Sequence, residues 1–228
     1  MGGQACVFYG AAEFSRDSDF AILAEPDNLE RLQAALLELQ AELIAVPSFE
    51  LAHLLRGHAV HFRCQHPDCA GLRVDVMAVM RGVDPFPQLW ERRTSLELVD
   101  GGTCHLLSIP DLVQAKKTQR DKDWPMIRRL LEADYFTNRV DTPDPARLRF
   151  WLRELRTPEL LIALSSNHPD LTAETQSKRP LLTHAIAGDF DALESSLLAE
   201  ELAERRRDRE HWLPLKHELE TLRRKPAP

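Results

Sequence analysis

The sequence predicts an α+β protein, in which a mixed β-sheet flanked by helices is followed by an α-helical C-terminal region. Short apolar runs that predict strands occur in the first half of the chain, whereas beyond Pro145 the apolar residues recur at helical spacing. Between the two patterns lies Thr142-Pro143-Asp144-Pro145, which is typical of a linker. We therefore predict two domains, residues 1–140 and residues 141–228.

Local patterns justify the first elements of the chain. Residues 4–12 are apolar and predict a helix after a glycine turn, and residues 19–23 predict a buried strand. Leucines then recur at three- and four-residue steps from Leu29 to Leu43, which predicts an amphipathic helix with Asp27 as its N-cap. A second short helix is predicted over residues 49–56.

Two pairs of strands and a well-marked helix complete the first domain. The predicted strands are 58–64, 72–80, 96–99 and 105–107. Ser108-Ile109-Pro110-Asp111 is typical of a helix start, so we predict a helix over residues 112–123. Trp124-Pro125 should end it, because the residue before a proline avoids the α conformation. The helices predicted for the second domain are 145–155, 157–164, 180–187, 189–207 and 210–223.

Composition limits the classes of function. The chain has 228 residues, of which 43% are hydrophobic, enough for one core and a smaller second one. Its net charge of -7 argues against broad, nonspecific nucleic-acid binding. The four cysteines form no dense framework, so we expect reduced thiols and a cytoplasmic location. No apolar run approaches the roughly 20 residues that span a bilayer, so we expect no membrane partner.

Two carboxylates, Asp17 and Asp19, are the clearest signal of chemistry. On a strand, residues i and i+2 point to the same side, so these side chains should lie together. They repel each other unless a cation lies between them, and their hard oxygen atoms suit Mg²⁺. A third acid, Asp75, stands between Val74 and Val76 in a predicted strand, where an acid is costly unless it has a function. The pattern predicts a metal-dependent phosphoryl or nucleotidyl transfer site.

The order of these motifs resembles that of the DNA polymerase β-like nucleotidyltransferase superfamily. Gly2-Gly3, a spacer, Asp17-Ser18-Asp19 at the start of a strand and Asp75 on a later strand match the family pattern. Residues 106–123 also look like the helix that follows the sheet in small members. These members include antibiotic nucleotidyltransferases and components of toxin–antitoxin and abortive-infection systems. The resemblance covers residues 1–134 and implies the nucleotidyltransferase fold.

The resemblance also implies roles for the acids. Asp17 and Asp19 would hold Mg²⁺ or Mn²⁺ against the phosphates of an NTP substrate. Asp75 would either complete a second metal site or take the proton of the acceptor hydroxyl. Gly2-Gly3 would let backbone N–H groups approach the triphosphate, because no Cβ intervenes.

Four further residues are expected to bind the nucleotide. Ser15 or Arg16 would contact phosphate, although Arg16 could instead pair with Asp17. Lys116 would reach the triphosphate, with Arg120 or Lys117 in support; Lys116 and Arg120 share a helix face because they are four residues apart.

The implied reaction moves a nucleoside monophosphate from an NTP to a hydroxyl of a small molecule, protein or RNA, with release of pyrophosphate. A toxin or antitoxin partner is a further expectation from the resemblance. The alternative is a catalytically inactive nucleotidyltransferase-fold protein that acts as a binding or antitoxin module. A cluster of histidines and cysteines over residues 58–69 is interpreted as a polar hairpin, because its spacing matches no common zinc pattern.

Overall fold

A computed structural model describes residues 1–139 and 143–224, and it confirms the predicted α+β class. Six strands form a four-stranded mixed sheet and a separate two-stranded sheet within these residues. The strands are β1 (Asp17–Ala21), β2 (Ala41–Leu43), β3 (Val60–Cys64), β4 (Arg73–Met77), β5 (Thr94–Glu97) and β6 (Thr103–Leu106).

Helices account for most of the remaining described residues. Those of the first half are α1 (Gly2–Phe8), α2 (Pro26–Glu38), α3 (Leu51–Leu55), α4 (Phe86–Arg92) and α5 (Ile109–Lys116). Those of the second half are α6 (Asp123–Asn138), α7 (Pro145–Glu154), α8 (Pro158–Asn167), α9 (Pro169–Gln176), α10 (Leu182–Ala187) and α11 (Phe190–Arg224). None of the described helices is long and apolar enough to cross a membrane.

The larger sheet has the strand order β1-β4-β3-β2. β1 runs parallel to β4, whereas β3 is antiparallel to both β4 and β2. Alternate residues of a strand face opposite sides of the sheet, so Val74 and Val76 face one side and Asp75 faces the other. The valine side packs with Phe62, Leu36 and Leu54 into a hydrophobic core. The core therefore leaves the opposite face of β1 and β4 for polar side chains.

The chain between α5 and α6 differs from the prediction. A helix was expected over residues 112–123, but α5 ends at Lys116 and α6 begins at Asp123. Pro125 lies in the first turn of α6, where a proline is tolerated because that N–H has no partner within the helix. The Asp123 carboxylate accepts hydrogen bonds from Thr118 and Arg120 in the loop between the two helices. These bonds stabilise the loop where a continuous helix was predicted.

The described residues form two compact units. The first contains residues 1–8 and 12–115 and the end of α11 from Arg209; the second contains residues 9–11 and 116–208. The predicted division between residues 140 and 141 lies outside the described residues and stays a prediction.

Candidate functional site

The parallel pairing of β1 and β4 brings the predicted acids together. Asp19 is the register partner of Asp75, and Asp17 is the register partner of Arg73. Register partners on neighbouring strands point to the same side of a sheet, as do residues two apart on one strand. The three carboxylates and the Arg73 guanidinium therefore share one face, opposite the hydrophobic core.

The two N-terminal glycines lie against this strand. A Cβ atom built on Gly2 would be 1.8 Å from Oδ2 of Asp19, and one built on Gly3 would be 2.4 Å from Oγ of Ser15. Gly2 also has a φ of 65°, which side chains disfavour. Only glycine lets the start of α1 come this close to Asp19.

Ser15 and Arg16, the predicted phosphate contacts before β1, differ in their hydrogen bonding and exposure. Oγ of Ser15 donates a hydrogen bond to the backbone carbonyl of Asp17 at 3.0 Å, and the carbonyl of Ser15 accepts one from Gln4 at 3.0 Å. Ser15 is thus part of the support that joins α1 to β1. Arg16 is exposed to solvent.

Asp75 is the most buried of the three acids, with 8% of its surface exposed. Its Oδ1 accepts a hydrogen bond from Nε of Arg73 at 2.8 Å and lies 2.8 Å from Nδ1 of His61. Burial alone would raise the pKa of Asp75, but the hydrogen bonds from His61 and Arg73 outweigh it and hold the pKa below its ordinary value. The carboxylate is therefore ionised at neutral pH.

Arg73 is a site residue that the sequence interpretation did not assign. Its hydrogen bond to Asp75, together with the nearby charges of Asp17 and Asp19, raises the pKa of its guanidinium. It is thus a fixed positive charge among the three carboxylates. The signal for it was present, because Arg73 stands two residues before Asp75 and must share its face.

Lys116 and Arg120, predicted to reach the triphosphate, lie in the second unit and contact Asp123 there. Nζ of Lys116 is 3.1 Å from Oδ1 of Asp123, and Nε of Arg120 is 2.7 Å from Oδ2. Oγ1 of Thr118 donates a third bond at 2.6 Å. Burial raises the pKa of Asp123, but Lys116, Thr118 and Arg120 together lower it below its ordinary value. This network stabilises the junction between α5 and α6.

The histidines and cysteines of the β3 hairpin do not gather into one cluster. His58 is buried, and its Nε2 lies 2.8 Å from Oε2 of Glu218, whereas His61 contacts Asp75. Burial and the neighbouring Cys69 thiol raise the pKa of Cys64, which keeps that thiol protonated. His58, His61 and Cys64 thus lie in three different surroundings.

Whether the acids fit a divalent metal depends on their oxygen atoms. Asp17 and Asp19 are half-buried carboxylates on one face, a donor set that suits Mg²⁺ bound by one or two acids plus water and phosphate. Within residues 1–139 and 143–224, no group of three or more His, Cys, Asp or Glu side chains is arranged as a metal site. The pair therefore fits one Mg²⁺, and Oδ1 of Asp75 already has His61 and Arg73 as partners.

Compared with protein-family models and with curated proteins, the sequence gives no match. The functional interpretation therefore depends on the geometry of β1, β4 and α1.

Proposed function

We propose that this protein is a metal-dependent nucleotidyltransferase with a DNA polymerase β-like nucleotidyltransferase fold. The observation that carries the proposal is the register of β1 and β4, which sets Asp19 beside Asp75 with Asp17 on the same face. The contact between Gly2 and Asp19 supports it, because the missing side chain brings the backbone of the glycine pair up to a carboxylate of the proposed metal site.

The proposed reaction is an in-line displacement at the α-phosphorus of an NTP. The acceptor hydroxyl oxygen forms the new bond, the bond to the leaving pyrophosphate breaks, and the hydroxyl proton passes to a base. Bound Mg²⁺ or Mn²⁺ would neutralise the phosphate charge. The protein itself mainly positions the reactants: Asp17 and Asp19 anchor the metal, and the N-terminal glycines admit the phosphates.

The test uses NTPs labelled at the α-phosphate, with Mg²⁺ or Mn²⁺, and measures labelled product and pyrophosphate. Asp17→Asn and Asp19→Asn remove a charge with little change of shape, and each should lower the rate on the order of a hundredfold. The matched control is Asp68→Asn, since that side chain is 92% exposed in a turn. Equal rates in the wild type and both site variants would refute the proposed catalytic role of Asp17 and Asp19.

A specific observation favours a second candidate, a catalytically inactive binding module. Oδ1 of Asp75 already bonds to His61 and Arg73, and the Arg73 guanidinium occupies the carboxylate face as a built-in cation. A module of this kind would bind an NTP without turning it over. Equilibrium dialysis with a labelled NTP distinguishes the two: binding that Asp19→Asn weakens, with no pyrophosphate released, supports the module.

A further inference from the structure

A cavity of about 420 Å³ lies in the first unit, and its lining includes Met1 and the end of β1. It is bordered by the end of β1, by α4 and by the hairpin of β5 and β6. Its volume falls within the range of small-molecule sites in proteins, which are mostly apolar with a few polar groups. Apolar residues such as Leu89, Leu98 and Leu106 supply much of its wall.

Aromatic rings line part of this cavity. Phe86 and Trp90 stack with centroids 5.8 Å apart and planes at 21°, and His105 meets Trp90 edge-on at 4.8 Å. Phe20 is 49% exposed and Trp90 is 43% exposed, although both are large and apolar. Partly exposed rings in the lining of an apolar cavity favour a flat aromatic ligand, because ring contacts add to the burial of apolar surface.

The charge at the cavity is positive. The Arg93 guanidinium lies 3.9 Å from the centre of the Trp90 ring, and its Nη1 donates a hydrogen bond to the Trp90 carbonyl at 2.6 Å. Its Nε is buried and has no hydrogen-bond partner in the part of the chain that the structure describes. None of the residues bordering the cavity is an aspartate or a glutamate. A bound anion would supply an acceptor for Arg93 and meet no repulsion there.

We propose that this cavity binds a planar aromatic small molecule that carries one negative charge. The exposed part of Trp90 contacts its rings, the leucines enclose its apolar part, and Arg93 pairs with its anionic group. The proposed ligand needs neither a metal nor an NTP, so the proposal does not depend on nucleotidyl transfer. The cavity should not bind polycations, because none of its lining residues is acidic.

The test measures probe binding by fluorescence in EDTA, without nucleotide. The probes are 8-anilinonaphthalene-1-sulfonate and N-phenyl-1-naphthylamine, which share their rings and differ by the sulfonate. The wild type should bind both at one site. Trp90→Leu should lower the affinity for both probes at least tenfold. Arg93→Gln should lower the affinity for the sulfonate probe alone, about fivefold or more.

Matched controls come from a second pair of the same kind. The Arg139 guanidinium lies 4.8 Å from the centre of the Phe136 ring, and neither residue borders the cavity. Phe136→Leu and Arg139→Gln should leave both affinities within about twofold of the wild type. Thermal unfolding of each variant shows that it is folded, and the Trp90 indole N–H signal in the NMR spectrum reports binding in the wild type itself.

Three results would overturn the proposal. The first is a folded wild type that binds neither probe, and the second is a Trp90 indole signal that the sulfonate does not move. The third is an equal loss of affinity for both probes in Arg93→Gln, which would show that Arg93 does not recognise the negative charge. Failure of nucleotidyl transfer would leave these measurements unaffected, because they contain no metal and no NTP.

Discussion

Asp19 and Asp75 stand side by side on adjacent parallel strands, although 55 residues of sequence separate them. Each also contacts a different residue: the Asp19 carboxylate occupies the place of a side chain at position 2, and Asp75 bonds to Arg73. The position of the Asp19 carboxylate therefore depends on the lack of a side chain at Gly2, and that of the Asp75 carboxylate depends on the positive charge of Arg73. The site can be altered through either neighbour without changing an acid.

Gly2→Ala should displace the Asp19 carboxylate. The new Cβ would lie 1.8 Å from Oδ2, so the carboxylate must move or α1 must shift away from β1. We expect the affinity for Mn²⁺, measured by electron paramagnetic resonance of the free ion, to fall about tenfold, which corresponds to ~1.4 kcal/mol.

The control for this variant is Gly71→Ala. Gly71 has a φ of 83°, but a Cβ atom there meets nothing within 4 Å. It should cost about 1–2 kcal/mol of stability through backbone strain alone and leave Mn²⁺ binding unchanged. If both variants weakened Mn²⁺ binding equally, the contact between Gly2 and Asp19 would have no part in the site.

Arg73→Gln should strengthen metal binding. The guanidinium now competes with any cation for the three carboxylates, and glutamine removes its charge while keeping a hydrogen-bond donor. We expect Mn²⁺ to bind about tenfold more tightly, as measured by calorimetry. The control is Arg63→Gln, because Arg63 is the exposed register partner of Arg73 on β3. Weaker binding in Arg73→Gln would mean that Arg73 holds Asp75 in the geometry that the metal needs.

Local patterns predicted much of this face. Alternation of apolar and acidic residues predicted the strands around Asp19 and Asp75, and the i, i+2 rule placed Asp17 with Asp19. The pattern could not give the parallel pairing of β1 with β4, because strand order depends on contacts far apart in sequence. It therefore could not give the register that joins Asp19 to Asp75.

The partners of the charged residues were harder to predict. The sequence placed Lys116 and Asp123 on one continuous helix, since both fit helical spacing. The chain instead breaks between them, and Lys116 turns its ammonium group to Asp123 within the break. Side-chain pairing of this kind depends on a loop conformation that periodicity does not describe.

Asp123 should make the stability of the protein depend on pH. Its pKa in the folded protein lies below the ordinary value of 3.8, so on acidification the unfolded chain takes up the proton first. Its contribution is present above about pH 4 and is lost as the pH falls through the lowered pKa. Asp123→Asn should cost about 3 kcal/mol near pH 6, and the difference from the wild type should shrink below pH 4.

Urea unfolding between pH 6 and pH 2 measures this effect. The control is Asp121→Asn, since the side chain of Asp121 is 93% exposed although it contacts Arg205. An exposed ion pair contributes little, so this variant should follow the wild type at every pH. A difference between Asp123→Asn and the wild type that stays constant with pH would contradict the assigned network.

Arg179 joins α7 to α11 in the second unit through four hydrogen bonds from one guanidinium. Nη1 donates to the carbonyls of Leu152 and Leu155, both at 3.0 Å, at the C-terminal end of α7. Nε and Nη2 donate to the two carboxylate oxygens of Glu200 at 3.1 and 2.8 Å, and Nη1 of Arg156 donates to the same carboxylate. Only 4% of Arg179 is exposed, so its donors have no water as a substitute.

Arg179→Lys should therefore be strongly destabilising although it keeps the charge. An ammonium group has three donors on one atom and cannot reach two carbonyls and both oxygens of Glu200 together. We expect a loss of about 2–4 kcal/mol in the free energy of unfolding, measured in urea.

Arg149→Lys is the matched control, because Arg149 makes the same two-pronged bond to a glutamate at an exposed position. Water can replace the lost bond there, so the unfolding midpoint of this control should stay close to that of the wild type. Equal shifts of the midpoint in the two variants would show that burial does not strengthen the Arg179 network.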